Sequence, residues 1–518
     1  MTRGILLFFI LTVLNVTAQD TTALRYASYI QPEIIKRHLS VLASDSLEGR
    51  ETATEGMVKA ARYVSQQFAA MGIPPCNNGS YYQKVPLVKQ MPGSTRLKLD
   101  GRELKYGDEY FAIDAPPSLN FSASEIIFVG YGIEDSASGW NDYRNIDVSG
   151  KLIFMLDGEP VNKKGVSLIS GSKESSKWKN DRQTKIEIAT AKNVAGIFLV
   201  HQEYQKTFER INKRLSAGRL MLDDSTAQQS IPVMYISNNL GNVLLEKAGK
   251  TVESWKKKSM KKKNPDSFSI QCKSELINNS EKTSCNNVLG FIEGTSKKEE
   301  VLIITAHLDH LGKRDDKIYY GADDDGSGSS SILNIAEAFV KAKKDGNSPK
   351  RSILVMTFTG EEKGLYGSEY YSNNPIFPLS NTVVDLNIDM IGRVDSVKRD
   401  SPYYTYIIGS DKLSTTLHSV NETANKFCCN LELDYKYNDP SDKLKLYYRS
   451  DHYNFAKHNI PVIFYFTGLH DDYHKPTDTI DKIDFDKTAK IARLVFNTAW
   501  ELANREEKIQ VDVKNVFK

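Results

Sequence analysis

Cysteine is scarce in this chain: five residues, Cys76, Cys272, Cys285, Cys428 and Cys429, among 518. At most two disulfides can form, with one thiol left over, and the spacings match no zinc-site pattern. A small disulfide scaffold and a cysteine-held zinc site are both excluded. Charge of one sign is lacking too. Its 68 Lys and Arg against 65 Asp and Glu leave a formal net charge of +3, which gives no electrostatic basis for a nucleic-acid partner. No apolar run approaches the roughly 18 residues that a membrane-spanning helix needs, so no stable membrane insertion is expected. No internal repeat of fixed period is apparent. What remains, 40% hydrophobic and 26% charged residues, is the profile of a globular protein, and at roughly 100–200 residues per domain the length calls for at least two. Composition says nothing of the reaction or of the oligomeric state.

The first residues form a separate signal. Arg3 supplies a positive start, 4–14 an apolar run too short to span a membrane comfortably, and Val16-Thr17-Ala18 a small-residue cleavage pattern. Residues 1–18 therefore read as a secretory signal peptide, with the mature chain starting near Gln19. No cysteine lies near the cleavage point to accept a lipid, so an exported, periplasmic or extracellular protein is expected.

Three regions follow. In 19–110, a helix beginning near Pro32 leads into a loop ending at Arg50. A second helix carries Met57, Ala61, Val64, Phe68 and Met71 at helical spacing before Gly72 stops it. That stripe is core. In 111–285, strand candidates at 125–129, 151–156, 195–200 and 233–236 alternate with helical or loop segments such as 184–193. No His, Cys or acid cluster accompanies them, and the region reads as an inserted accessory domain, smaller and α/β or β-rich. Its lysines at 256–258 and 261–263 read as a solvated face. In 286–510, buried-type runs at 301–305, 352–358, 383–388 and 461–466 combine with helices at 329–343 and 487–503. This is the pattern of an α/β fold with a mixed, mostly parallel sheet flanked by helices.

Each strong strand run is followed by residues of metal-ligand type: His307 and Asp309 after the first, Glu361 and Glu362 after the second, Asp389 after the third, and a loop with His470, Asp471, Asp472, Tyr473 and His474 after the fourth. An acidic loop, Gly321-Ala322-Asp323-Asp324-Asp325-Gly326, lies between the first strand and the next helix. Carboxyl ends of strands in an open α/β sheet form a crevice, so these residues should converge. Gathering so many carboxylates, with no Arg or Lys in the same motifs, is costly unless cations bind there. Mixed imidazole and carboxylate donors suit zinc. Two neutral His and three carboxylates carry −3 against +4 for two zinc ions; one bridging hydroxide completes neutrality, which favours two ions over one.

The motifs His307-Leu308-Asp309, Gly321-Ala322-Asp323-Asp324-Asp325, Thr359-Gly360-Glu361-Glu362, Asn387-Ile388-Asp389-Met390 and Asp472-Tyr473-His474 resemble, in order, those of the M28 zinc peptidases, the co-catalytic di-zinc aminopeptidases. The resemblance implies the zinc exopeptidase fold. It implies one zinc held by His307 and Asp389 and the other by Glu362 and His474, with Asp324 bridging. Glu361, adjacent to a ligand but itself unassigned, is then the general base acting on a metal-bridging hydroxide. Asp309 is expected to accept the second N–H of the His307 imidazole. Tyr473 is a candidate donor to the oxyanion. Arg449, in Arg449-Ser450-Asp451-His452, is expected to bind a substrate carbonyl or carboxylate, or else to pair with a nearby acid. Phe128-Val129-Gly130-Tyr131-Gly132 and Val148-Ser149-Gly150-Lys151 are similar to the protease-associated (PA) domain often inserted in these enzymes. The expected activity is removal of N-terminal residues from peptide substrates. Carboxypeptidase or dipeptidase action on the same fold is the alternative, and a non-catalytic receptor-like protein a remote one.

Overall fold

The computed structural model describes residues 21–112, 119–215, 218–223, 231–260 and 267–516. The expected signal peptide, 1–18, and Lys261, Lys262 and Lys263 lie outside the described residues. The chain divides into two compact units: one from the segments up to Val85 and from Cys285 onward, the other from Pro86–Ser284.

The second unit is organised by an eight-stranded sheet among its described residues. Four central strands, Asn120–Phe128, Leu152–Leu156, Gly196–Val200 and Val233–Ile236, run parallel. Their side chains alternate between two cores. Ile126, Phe128, Phe154 and Phe198 pack on one face with Trp255, and Ile127, Ile153, Met155 and Ile197 on the other. This period-two division is what a sheet buried on both sides requires. The expected helix near 184–193 is found at Arg182–Ala191 and leads into the strand Gly196–Val200.

The main sheet of the first unit is built on β1 (Tyr82–Gln90), β2 (Glu281–Ile292), β3 (Lys297–His307), β4 (Arg351–Phe358), β5 (Thr382–Ile388), β6 (Tyr404–Ile408), β7 (Glu432–Asp434) and β8 (Val462–Phe466), with Gly312–Arg314 and Lys317–Tyr319 forming a separate hairpin. Their order across the sheet is β1-β2-β4-β3-β5-β8-β6-β7. The inner four, β4-β3-β5-β8, are parallel, while β2 runs antiparallel to β4 and β6 antiparallel to β8, with β7 parallel to β6. Every residue of β4, β5 and β8 is buried, the consequence of helices covering both faces. The helices are α1 (Thr21–Ala27), α2 (Pro32–Leu42), α3 (Glu55–Met71), α4 (Gly328–Lys344), α5 (Tyr366–Asn373), α6 (Thr415–Cys428), α7 (His452–Lys457) and α8 (Phe485–Asn504). In α3, Met57, Ala61, Val64 and Phe68 are buried as their spacing requires, and Gly72 ends the helix at φ +85°. Cys428 and Cys429 form a disulfide between adjacent residues, and the other three cysteines are free thiols.

Because β3, β4, β5 and β8 are parallel, their carboxyl ends lie along one edge of the sheet. The loops leaving that edge are held from behind by Arg50, which is 1% exposed. Its guanidinium donates to the carbonyls of Leu308 (2.9 Å), Leu42 (2.9 Å), Gly321 (3.0 Å) and Tyr320. Thus one planar fork ties the end of α2 to two loops that carry the candidate ligands. Arg50→Met leaves these buried carbonyls without a donor and should destabilise the protein by about 2–4 kcal/mol. Chemical denaturation measures this, and Arg50→Lys, a point donor, should recover only part of the loss.

Candidate metal centre

β3 delivers His307. Its Nδ1–H donates to the Asp309 main-chain carbonyl at 2.9 Å, which leaves Nε2 to face the crevice. That nitrogen lies 3.1 Å from Asp324 Oδ1, 3.5 Å from Asp389 Oδ1 and 3.9 Å from Glu361 Oε2. The orienting group is therefore the carbonyl of Asp309, and the expected role of its carboxylate is corrected. The carboxylate instead accepts from Thr52 Oγ1 at 2.7 Å and from the Glu361 main-chain N–H at 3.1 Å. A carbonyl two residues along the same strand end is nearer to the ring than any side chain has to reach.

The acidic loop turns at Gly321, φ +55°, where a Cβ would meet the Asp324 carbonyl oxygen at 2.2 Å; only glycine fits. Two of its three aspartates are committed elsewhere. Asp325 accepts from the main-chain N–H of His307, Gly328 and Met390. Asp323 accepts from Gly392 N–H at 2.6 Å and lies 3.3 Å from His470 Nε2. Asp325 comes close enough to His307 and Asp389 to share a cation with them, but three N–H donors already occupy its oxygens. Asp324 alone points both oxygens into the crevice, Oδ1 toward His307 and Oδ2 toward His474, each at 3.1 Å.

β5 leads to Asp389, whose Oδ2 accepts from Ser450 Oγ at 2.7 Å; Asn387 Nδ2 donates to the same hydroxyl. β4 leads to Glu361 and Glu362, which sit in a turn ahead of α5 and so do not start a helix. Glu362 Oε2 is 3.2 Å from His474 Nε2. All five expected ligand residues, with Glu361, thus meet at one edge. Tyr473 stacks on the His474 ring at 3.8 Å between centroids, and its hydroxyl accepts from Arg449 Nη2 at 3.2 Å. Four residues that motif reading left unassigned also belong here: Arg50, Thr52, Ser450 and His310. The last stands three positions after His307, a spacing that could have flagged it.

The donor set fits cations. Buried polar atoms are normally paired, yet His307 Nε2, Glu362 Oε1 and both ring nitrogens of His310 have no hydrogen-bond partner. Donors about 2.0–2.2 Å from a tetrahedral zinc stand about 3.3 Å apart, and the separations above bracket that value. Imidazole with carboxylate matches zinc chemistry.

Electrostatics agree. Burial raises the Glu361 carboxyl well above its ordinary range, with Glu362 and Asp389 adding to the shift and His307 opposing it. Burial and Asp324 both act to raise Glu362, but contact with His310 and His474 brings it down to about 2. Burial would lower the His474 imidazole, but Asp324 and Glu362 hold it up at about 10. His307 is raised as well: burial opposes this and the carboxylates of Glu361, Asp389 and Asp324 outweigh it.

Residues 287–499 match the model of peptidase family M28. The chain is 30% identical over 213 residues to a probable leucine aminopeptidase of Arthroderma otae, covering 40% of this chain and 55% of that one. It is 40% identical over 105 residues to a probable glutamate carboxypeptidase of Arthroderma benhamiae, covering 20% of this chain and 14% of that one. The chain spans about half the length of the first of these relatives. Among solved structures, an aminopeptidase from Aneurinibacillus sp. strain AM-1 aligns with a TM-score of 0.49 at 17% identity, over 95% of this chain and 98% of that one. The family resemblance drawn from five motifs is therefore matched by the family model across the segment that carries them.

Metal uptake should be linked to protons. The surrounding carboxylates favour the protonated imidazoles of His307 and His474 in the metal-free protein, whereas a cation requires them neutral. Zinc binding at pH 7 should therefore release protons, and affinity should fall as pH falls. Calorimetry in buffers of different ionisation enthalpy measures the release, and a buffer-independent heat would contradict the assignment.

Proposed function

We propose that this chain, with its M28-type segment at 287–499, is an exported zinc-dependent exopeptidase that removes N-terminal residues from peptides. The observation that carries the reading is Asp324, buried, with one oxygen directed to His307 and the other to His474. A carboxylate so placed suits a bridge between two zinc ions, one held by His307 and Asp389, the other by Glu362 and His474. Zinc held by these residues would supply Lewis-acid chemistry, lowering the pKa of a water molecule and polarising the scissile carbonyl.

The remaining steps belong to side chains. Glu361, 12% exposed and 3.9 Å from His307 Nε2, borders the cluster without being needed to fill it. Its main chain is fixed by Asp309, and its raised carboxyl pKa suits a group that takes a proton from water and passes it to the leaving amine. The Tyr473 hydroxyl, held by Arg449, is positioned to donate to the oxyanion of the tetrahedral intermediate. The insert, expected at 111–285 and found as the compact unit Pro86–Ser284, is assigned as a PA-like module with no catalytic group of its own. The leader-like residues 1–18 support export.

A carboxypeptidase or dipeptidase reading is favoured by one observation: Arg449 is exposed beside Tyr473 and could receive a C-terminal carboxylate. A receptor-like protein without catalysis is disfavoured, because all five ligand positions and Glu361 are filled. Two measurements test the proposal. Glu361→Gln should reduce kcat by about 10²–10⁴-fold while zinc content stays at the wild-type level; undiminished hydrolysis would remove Glu361 from the mechanism. Peptides with a free α-amine should be cleaved and N-acetylated ones spared. Hydrolysis of blocked peptides from a free C-terminus would overturn the aminopeptidase assignment in favour of the second reading.

A further inference from the structure

The five donor residues assigned above, two of them imidazoles, leave a further buried imidazole unexplained. His310 is completely buried. Its main-chain N–H donates to the Arg50 carbonyl at 3.2 Å, and its ring lies against Gly321, where a Cβ would meet the ring Cγ at 2.5 Å. The space for this ring is therefore created by a glycine on one side and anchored through Arg50 on the other. Its Nδ1 stands 2.8 Å from Glu362 Oε1 and 3.8 Å from Asp324 Oδ2, and its ring meets that of His474 edge-on at 5.8 Å.

The short separation from Glu362 is not a hydrogen bond. His310 Nδ1 and Glu362 Oε1 are both without a hydrogen-bond partner, although a proton on that nitrogen aimed at the oxygen would satisfy both. A nitrogen and an oxygen in close approach, both buried and neither with a partner in hydrogen-bond geometry, are arranged as two donors to a common third atom. His310, Asp324 and Glu362 offer ligand atoms that all lie within 4.8 Å of one another, and His474 Nε2 adds a fourth at 3.1–3.2 Å from two of them.

We propose that His310, through Nδ1, is a protein ligand of the second zinc, giving that position a four-donor set of His310, Asp324, Glu362 and His474. This rests on the two-zinc reading above. It makes the two positions unequal. The second is closed by four protein donors, the arrangement of structural zinc, whereas the first has His307, Asp324 and Asp389 and keeps an open coordination place, as catalytic zinc does. Water and substrate would then be received on the His307 side, next to Glu361, with His310 and Glu362 holding the other position.

The test is stepwise Zn²⁺ binding to the full chain, by equilibrium dialysis against a competing chelator with metal analysis, for wild type and His310→Asn. Asparagine keeps a donor N–H near the place of Nδ1 but is no zinc ligand. One of the two stepwise affinities should fall by at least about tenfold, the lower bound for loss of even an indirect contact, with the other unchanged. A second readout needs no variant: in ¹⁵N-histidine-labelled wild type, zinc loading should leave His310 with Nε2 protonated and Nδ1 metal-shifted. Wild-type affinity at both sites in His310→Asn, or a proton retained on Nδ1 in the zinc-loaded protein, would overturn the His310 assignment and leave the two-zinc reading standing. A wild-type protein that binds fewer than two Zn²⁺ overturns both.

Discussion

Carboxylates taken out of water and set a few ångströms apart repel one another, and this repulsion is the constraint to which the first unit is built. Asp324, Glu361, Glu362 and Asp389 share one crevice with side chains 5–12% exposed. Asp309 and Asp325 lie fully buried directly behind them. Unpaired ions in such surroundings either take up protons or require compensating charge. The structure divides the acids into two groups. Asp309, Asp323, Asp325 and Asp478 accept main-chain N–H groups and thereby hold loops in place. Asp324, Glu361, Glu362 and Asp389 keep at least one oxygen for the crevice. The cation nearest behind the site, Arg50, spends its donors on main-chain carbonyls, so the positive charge that the inward-facing group requires comes from imidazolium or from bound metal.

That division depends on the sheet. Four parallel strands bring four chain crossings to one edge, where residues more than a hundred positions apart become neighbours. The loops leaving the edge are fixed by polar contacts in addition to buried apolar residues such as Leu308, Ala322 and Ile391. Ser450 holds Asp389, Asp309 holds the turn of Glu361, and Arg50 holds the His310 and Gly321 segments. Each contact uses a main-chain group or a short side chain, so each position is set to within the length of a hydrogen bond.

How much of this was legible in the sequence follows from the same physics. The runs at 301–305, 352–358, 383–388 and 461–466 stand out because strands covered on both faces need continuous apolar residues, and β3, β4, β5 and β8 fall on them. β6, with Tyr404, Tyr406 and Ile408 buried, escaped notice because its tyrosines read as polar when their packing is unknown. Strand ends and spacing were enough to bring the His, Asp and Glu motifs together at one edge; singling out His307, Asp324, Glu362, Asp389 and His474 within them came from the resemblance to the M28 motifs. Which aspartate of Asp323-Asp324-Asp325 faces the crevice is decided by where main-chain N–H groups point, and no spacing encodes that. The same holds for Asp309, whose carbonyl does what its carboxylate was expected to do. Arg50 was invisible as a partner because its acceptors are carbonyls, which every residue carries.

The site also has a direction. Side-chain exposure rises from 1% at His307 to 5% at Asp324 and Glu362, about 10% at Asp389, 12% at Glu361 and 36% at His474, beyond which lie Tyr473 and exposed Arg449. The back is therefore rigid, with His307 fixed by a main-chain carbonyl and Asp389 by a buried serine. The front is formed by a loop residue in left-handed backbone conformation, His474 at φ +56°, with its ring covered by a tyrosine. Under the proposed activity, Arg449 and Tyr473 stand on the exposed side and the residues that would hold metal lie deeper, so the groups offered to a substrate are separated in depth from the charge balance behind them.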